Sequence, residues 1–256
     1  MPLFKSGNPT LSEKNFEQSV SPSSIAGENT MTVRGTLNKF GFLFLMVMAS
    51  AFYTWQEFSN RGDVMPYMWT GVIGGFIVAI IIMFKKEWAP YLAPLYALLE
   101  GLFIGAVSAA FQYAFQDKMP DIVLNAILLT FGVAIAMYLL FVTRVIRVTE
   151  TFKAVILVAT AGLAIFYLIT MVLRMFGYDG FHFVYEGGST LAIGFSLFVV
   201  GLAALNLVLD FDMIEKGSQM GAPKYMEWYG AFGLMVTIIW LYLEILRLLA
   251  KLSSRK

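Results

Sequence analysis

The chain has 256 residues, of which 59% are hydrophobic and 14% charged, with a formal net charge of +1. An ordinary soluble domain carries roughly 25% charged residues, so this is the composition of a polytopic membrane protein, and with no basic domain or stripe it gives no reason to expect nucleic acid as a partner. The absence of cysteine excludes disulfides, thiolate catalysis and cysteine metal sites.

A bilayer core of about 30 Å needs about 20 helical residues per span. Seven apolar runs of that order are present, at roughly 37–55, 67–84, 91–115, 122–142, 153–175, 190–213 and 229–250. The alternating ten-residue segments of a membrane barrel are missing. The predicted fold is therefore all-α, a seven-transmembrane-helix bundle over residues 36–256, preceded by a flexible cytoplasmic tail over residues 1–35. That tail is rich in Ser, Asn, Gly and Pro and has no apolar core, so it reads neither as a signal peptide nor as a span.

The first span, FGFLFLMVMASAFYTW, closes on Trp55, an interfacial aromatic. The second places Gly71, Gly75 and Ala79 four apart, the spacing that lets helix backbones approach closely in lipid. Lys85, Lys86 and Trp88 mark its end, and Pro90 and Pro94 are expected to open the third span, where a missing N–H is tolerated. In that third span Tyr96, Glu100, Ser108 and Gln112 share one face, a polar stripe, with Gly101 and Gly105 beside it. Glu100 is either part of a polar path or a satisfied interhelical hydrogen-bonding group.

The fourth span has Asn125 and Thr130 as its notable polar groups and ends in Arg144 and Arg147. The fifth leads through LRMFGYDG into the longest loop, which holds the single histidine, His182, and no recognisable site. No internal repeat is obvious, and seven spans do not divide into two inverted halves.

The sixth and seventh spans carry acids at membrane depth, where a carboxylate costs about 2.5–3.5 kcal/mol and marks a functional candidate. In NLVLDFDMIEK, Asn206 and Asp210 are four apart and share a face, whereas Asp212 is turned about 200° from Asp210 and lines up with Lys216. Asp212 is expected to be a solvated helix-end charge. In the last span Glu244 has Arg247 three residues on, so an intrahelical ion pair competes with a functional role. Paired acids also serve general acid–base catalysis. Without a serine–histidine pair or a histidine cluster, ion handling is favoured, and neither enzymatic activity nor a cofactor is expected.

Lys and Arg near the span ends favour a cytoplasmic N-terminus. The C-terminal Arg247, Lys251, Arg255 and Lys256 dissent. Either the rule fails there, or the last segment dips into the membrane and returns.

Several stretches together resemble the Bax inhibitor-1/YccA family, most closely its bacterial branch: MTVRGTLNKFGFLFLM, WAPYLAPLYALLEGLFIGAVSA, RVIRVTETFKAVILVATAG, LVLDFDMIEKG and WLYLEILRLL. The resemblance implies a bacterial inner-membrane protein whose last helix is surrounded by the other six. It also implies a pH-sensitive calcium leak gated by two acids, for which Asp210 and Glu244 are the matching positions, with Asn206 and Glu100 as further candidates on the ion path. Two unit charges about 4 Å apart at an effective dielectric of 20 repel by about 4 kcal/mol, so a close pair would share a proton in mild acid and admit a cation once both ionise. The chain departs from the pattern in its Glu at the second acid, in a longer connection, GSQMGAPKYMEW, and in lacking a basic residue on the second span before Lys85. A second implied reading is a non-conducting regulator that binds a membrane protease or another membrane partner.

Overall fold

The computed structural model describes residues 30–178, 180–181 and 187–255. Among these, seven helices are long and apolar enough to cross a membrane. They are α1 (Val33–Ser59), α2 (Met65–Phe84), α3 (Ala89–Phe115), α4 (Ile122–Val142), α5 (Glu150–Met175), α6 (Thr190–Gln219) and α7 (Met226–Ser254). Each predicted span lies within one of them. Most overrun it, because a helix with polar end residues continues through the headgroup layer. His182 and most of its loop lie outside the described residues.

The chain sorts into two compact units. The first comprises the described residues of Phe115–Leu209 and Thr237–Lys256, the second those of Pro9–Ala114 and Asp210–Val236.

In the second unit, small residues bring backbones together. A Cβ at Gly71 would lie 2.6 Å from the Leu99 carbonyl oxygen and 2.8 Å from the Phe103 nitrogen, so α2 and α3 touch along the predicted glycine face. On another side of α3, Gly101 abuts Ser50 and the Val47 carbonyl, and Gly105 abuts Ala51, with no room for a side chain at either position. Ser50 turns its hydroxyl back to the Met46 carbonyl at 3.0 Å, as a hydroxyl in a span must. Contrary to the sequence expectation, Pro94 lies inside α3. The helix starts at Ala89, straight after a 3-10 turn over Lys86–Trp88, so only Pro90 falls in its first turn.

In the first unit, α5 packs on α6 through Ile156, Leu163, Val199, Leu202 and Leu209, with Trp240 of α7 against this cluster.

The most enclosed helix is α7, with 67% of its most apolar window buried, against 56% for α6 and 17% for α1 and α5. Phe232, Ile238 and Leu248 are all buried, in keeping with the all-round apolar character of the segment. It is one unbroken helix of 29 residues, about 43 Å long at 1.5 Å per residue, which rules out the dip-and-return alternative. The connection before it is also short. Half of GSQMGAPKYMEW is helix, leaving six residues, 220–225, between α6 and α7. Gly221 makes the turn at φ +69°, a conformation that favours glycine.

The first described residues are docked rather than part of a flexible tail. The Met31 N–H donates to the Ala222 carbonyl at 2.6 Å, Thr30 bridges to Pro223, and the Thr32 side chain caps α1 by accepting from the Gly35 N–H. The rest of the predicted tail, residues 1–29, lies outside the described residues.

Replacing Gly101 by Leu would force α3 away from α1 and is expected to cost about 1–3 kcal/mol or more. Gly132→Leu on α4, where nothing lies within 4 Å, should leave stability nearly unchanged. Thermal unfolding of the two variants in detergent checks the contrast.

Candidate functional site

Helix α5 offers one polar and apolar stripe to its neighbours. Lys153, Ile156, Thr160, Leu163, Tyr167, Thr170 and Arg174 follow each other at steps of three or four and so lie on one face. Asn206 of α6 meets this stripe. Its amide donates to Thr160 Oγ1 and to the Leu202 carbonyl, both at 2.9 Å, and the side chain is buried.

Glu244 of α7 meets the stripe two turns further along. It is 3% exposed, and its Oε1 accepts from Arg247 Nη1 at 2.9 Å and from the Tyr167 hydroxyl at 3.4 Å. The intrahelical ion pair weighed from the sequence is therefore formed, with a tyrosine added to it. A turn beyond Arg247, Lys251 is also buried, and its ammonium donates to Ser196 Oγ at 3.0 Å. Arg247 and Lys251 thus carry positive charge along α7 from Glu244 to the helix end, where a cation complements the helix dipole.

Asp210, fully buried, belongs to the second unit, whereas Glu244 belongs to the first. Asp212 is a correction. It was expected to be solvated, but its residue exposure is 6%, and its Oδ2 pairs with Lys216 Nζ at 2.9 Å. The four-residue spacing made the pair, and Asp212 lies out of water beside the buried Phe211, Met213 and Ile214, while the Lys216 side chain stays 33% exposed.

Glu100 is held inside the second unit by its own turn of helix. The Tyr96 side chain is hydrogen-bonded to it, and its Oε2 lies only 3.1 Å from where a Cβ of Gly75 would stand. Tyr96 in turn packs edge-on against Phe232 of α7, with centroids 4.8 Å apart. Gly75 therefore serves two purposes: it lets α2 approach α3, and it leaves space for a carboxylate between them.

Sequence reasoning missed a heavily coordinated acid. Glu227, in the first turn of α7, is fully buried; its Oε1 accepts from the Thr32 N–H and the Thr32 hydroxyl, each at 2.9 Å. Lys224 Nζ reaches the same oxygen at 2.9 Å, and Lys39 Nζ bonds Oε2. Lys39 also lies over the Trp228 ring, 5.5 Å from its centroid. The carboxylate fits against Gly35, which has no room for a side chain. This cluster ties the start of α1 to the start of α7. Nothing in local spacing flagged it, because its members come from distant parts of the chain. The available hint was a glutamate directly ahead of an apolar run with a lysine three residues before it.

Among the described residues no group of three His, Asp or Glu side chains is arranged to hold a metal ion. The arrangement instead offers buried carboxylates, of which Asp212, Glu227 and Glu244 are each balanced by a cation. A model of the Bax inhibitor 1 like family matches residues 8–254, nearly the whole chain. No curated protein and no solved structure matches it.

Glu227→Gln removes the charge that two lysines face. It is expected to lower stability by about 2 kcal/mol, the scale of a hydrogen bond to a charged group, and to expose the segment around Thr32 to protease. Limited proteolysis and thermal unfolding of the purified variant check both effects.

Proposed function

The chain belongs to the Bax inhibitor 1 like family, and from that membership and its buried acids we propose that it is a cation leak in which Asp210 and Glu244 are the acids a permeating ion meets. Calcium is the foremost candidate for that ion. The observation that carries this reading is Glu244, a carboxylate kept almost out of solvent on the most enclosed helix and balanced by one arginine and one tyrosine.

A buried charge persists only if it is compensated. An arginine on the same helix supplies that compensation at rest, and a passing cation can take over the role. Protonation of the acids removes their attraction for a cation, so the leak falls as pH falls. Calcium prefers six to eight oxygen ligands, and three acids do not cluster among the described residues. A passing ion therefore keeps much of its water and binds weakly, as conduction requires. Glu100 and Asn206 are further polar groups that line such a path.

The N-terminal side is cytoplasmic in this reading, from the excess of Lys and Arg in the segments on that side, and the membrane is the bacterial inner membrane. A reporter active only after export, fused at residue 2, should score as retained, and export would reverse the orientation.

In this reading calcium flux into proteoliposomes should rise across roughly pH 5–8, because an ionised carboxylate attracts a cation and a protonated one does not. Asp210→Asn and Glu244→Gln should each flatten this dependence, while Asp212→Asn, whose partner is Lys216, should keep most of it. A wild-type pH profile in the Asp210→Asn protein would make that acid structural. No flux from any form of the protein would leave the alternative, a non-conducting regulator that binds a membrane protease or another membrane partner.

A further inference from the structure

An open groove of about 460 Å³ runs between α5 and α7 within the first unit, lined by Tyr167, Leu168, Met171, Arg174 and Arg247. Its lining is ordered along the helix. Arg174 lies in the last turn of α5, Met171 about one turn deeper, and Leu168 and Tyr167 a further turn in. Tyr167, Met171 and Arg174 share one face by their four- and three-residue steps. Leu168 and Met171 are 60% and 55% exposed, so the deeper wall is a bare apolar surface in a helix that crosses the membrane.

From the helix end inward, the groove thus presents a guanidinium, a thioether, and then a leucine beside a phenol. A second guanidinium joins from α7. Arg247 gives Nη1 to Glu244 while its side chain remains 38% exposed, and a guanidinium carries five N–H donors in a fork suited to phosphate oxygens.

We infer that this groove seats an anionic phospholipid, with its phosphate on Arg174 and Arg247 and an acyl chain along Leu168 and Met171. The charge pattern selects the occupant. Two guanidiniums, one of them shared with the Glu244 carboxylate, favour a headgroup of net negative charge over a zwitterionic one. The apolar wall below them favours a lipid over a free anion, because inorganic phosphate would leave that wall uncovered. Basic pockets between transmembrane helices bind acidic headgroups on the same principle. Arg247 then serves two anions, the Glu244 carboxylate and the lipid phosphate, so occupancy of the groove bears directly on the Glu244 ion pair. The inference holds whether or not the chain conducts.

The test uses purified full-length protein in a neutral detergent, with phosphatidylglycerol, phosphatidylcholine or inorganic phosphate added. Retained lipid is counted by native mass spectrometry, and stability is followed by thermal unfolding. Phosphatidylglycerol should be retained and should raise the melting temperature, whereas phosphatidylcholine and inorganic phosphate should do neither. Arg174→Gln, at an exposed position, should weaken phosphatidylglycerol binding about tenfold, the scale of one charge-assisted contact. Arg174→Lys should restore part of it. Met171→Glu, which sets a negative charge in the apolar wall three residues before Arg174, should abolish retention. Equal retention of both lipids, or wild-type retention in Arg174→Gln and Met171→Glu, would overturn the inference. Stabilisation by inorganic phosphate alone would also overturn it, by reducing the groove to a small-anion site.

Discussion

A charge removed from water must find its counter-charge or its hydrogen bonds inside the protein, and in this chain that requirement decides where helices can meet. Among the described residues four acids are buried by residue exposure, Asp210, Asp212, Glu227 and Glu244. For three of them the compensating cation lies within four residues along the chain: Lys216 for Asp212, Lys224 for Glu227 and Arg247 for Glu244. Local pairing of this kind lets a helix enter the membrane already close to neutral. The remaining bonds, from Tyr167 to Glu244 and from Thr32 and Lys39 to Glu227, come from other helices and add position to neutrality. The loss of a local partner should therefore hinder insertion, and the loss of a distant one should loosen packing.

The apolar contacts follow a complementary rule. Lipid supplies no hydrophobic drive for helices to associate, so close backbone approach and dispersion do most of that work. The glycines of α2 and α3 provide it. Gly71 admits the backbone of α3, while Gly101 and Gly105 admit the backbone of α1. Helix α3 is consequently gripped on two sides, and that grip leaves Glu100 against Gly75, held by Tyr96 from one turn before it.

Much of this could be read from the chain before its structure was known. The seven spans follow from hydropathy, the glycine faces from a four-residue repeat, and the Glu244–Arg247 pair from a three-residue step, because each depends only on helical periodicity. Contacts that require knowing which helices are neighbours were not legible. The stripe on α5 from Lys153 to Arg174 has a regular period, but a few hydroxyls in an apolar run do not announce that Asn206 and Glu244 will meet them. Asp212 was misjudged because proximity to a helix end was taken for exposure, when the buried Met213 and Ile214 beside it carry the protein interior past that point. Pro94 was assigned to a first turn because a turn of 3-10 helix placed ahead of α3 has no clear sequence signature.

The docking of Thr30, Met31 and Thr32 onto the connection between α6 and α7 has a consequence for the order of assembly. The Thr32–Glu227 bonds span 195 positions, so the first helix leaves the ribosome long before its partner has been made. At about 5–20 residues per second of synthesis, that wait is on the order of ten seconds or more. During it the Lys39 ammonium has no Glu227 to answer it, and the interfacial water and acidic headgroups at the membrane surface must hold it instead. Closure of the contact is thus a late step, taken when the turn at Gly221 has formed and α7 has started. Helix α1 therefore reaches its final seat only after nearly all of the chain has been synthesised.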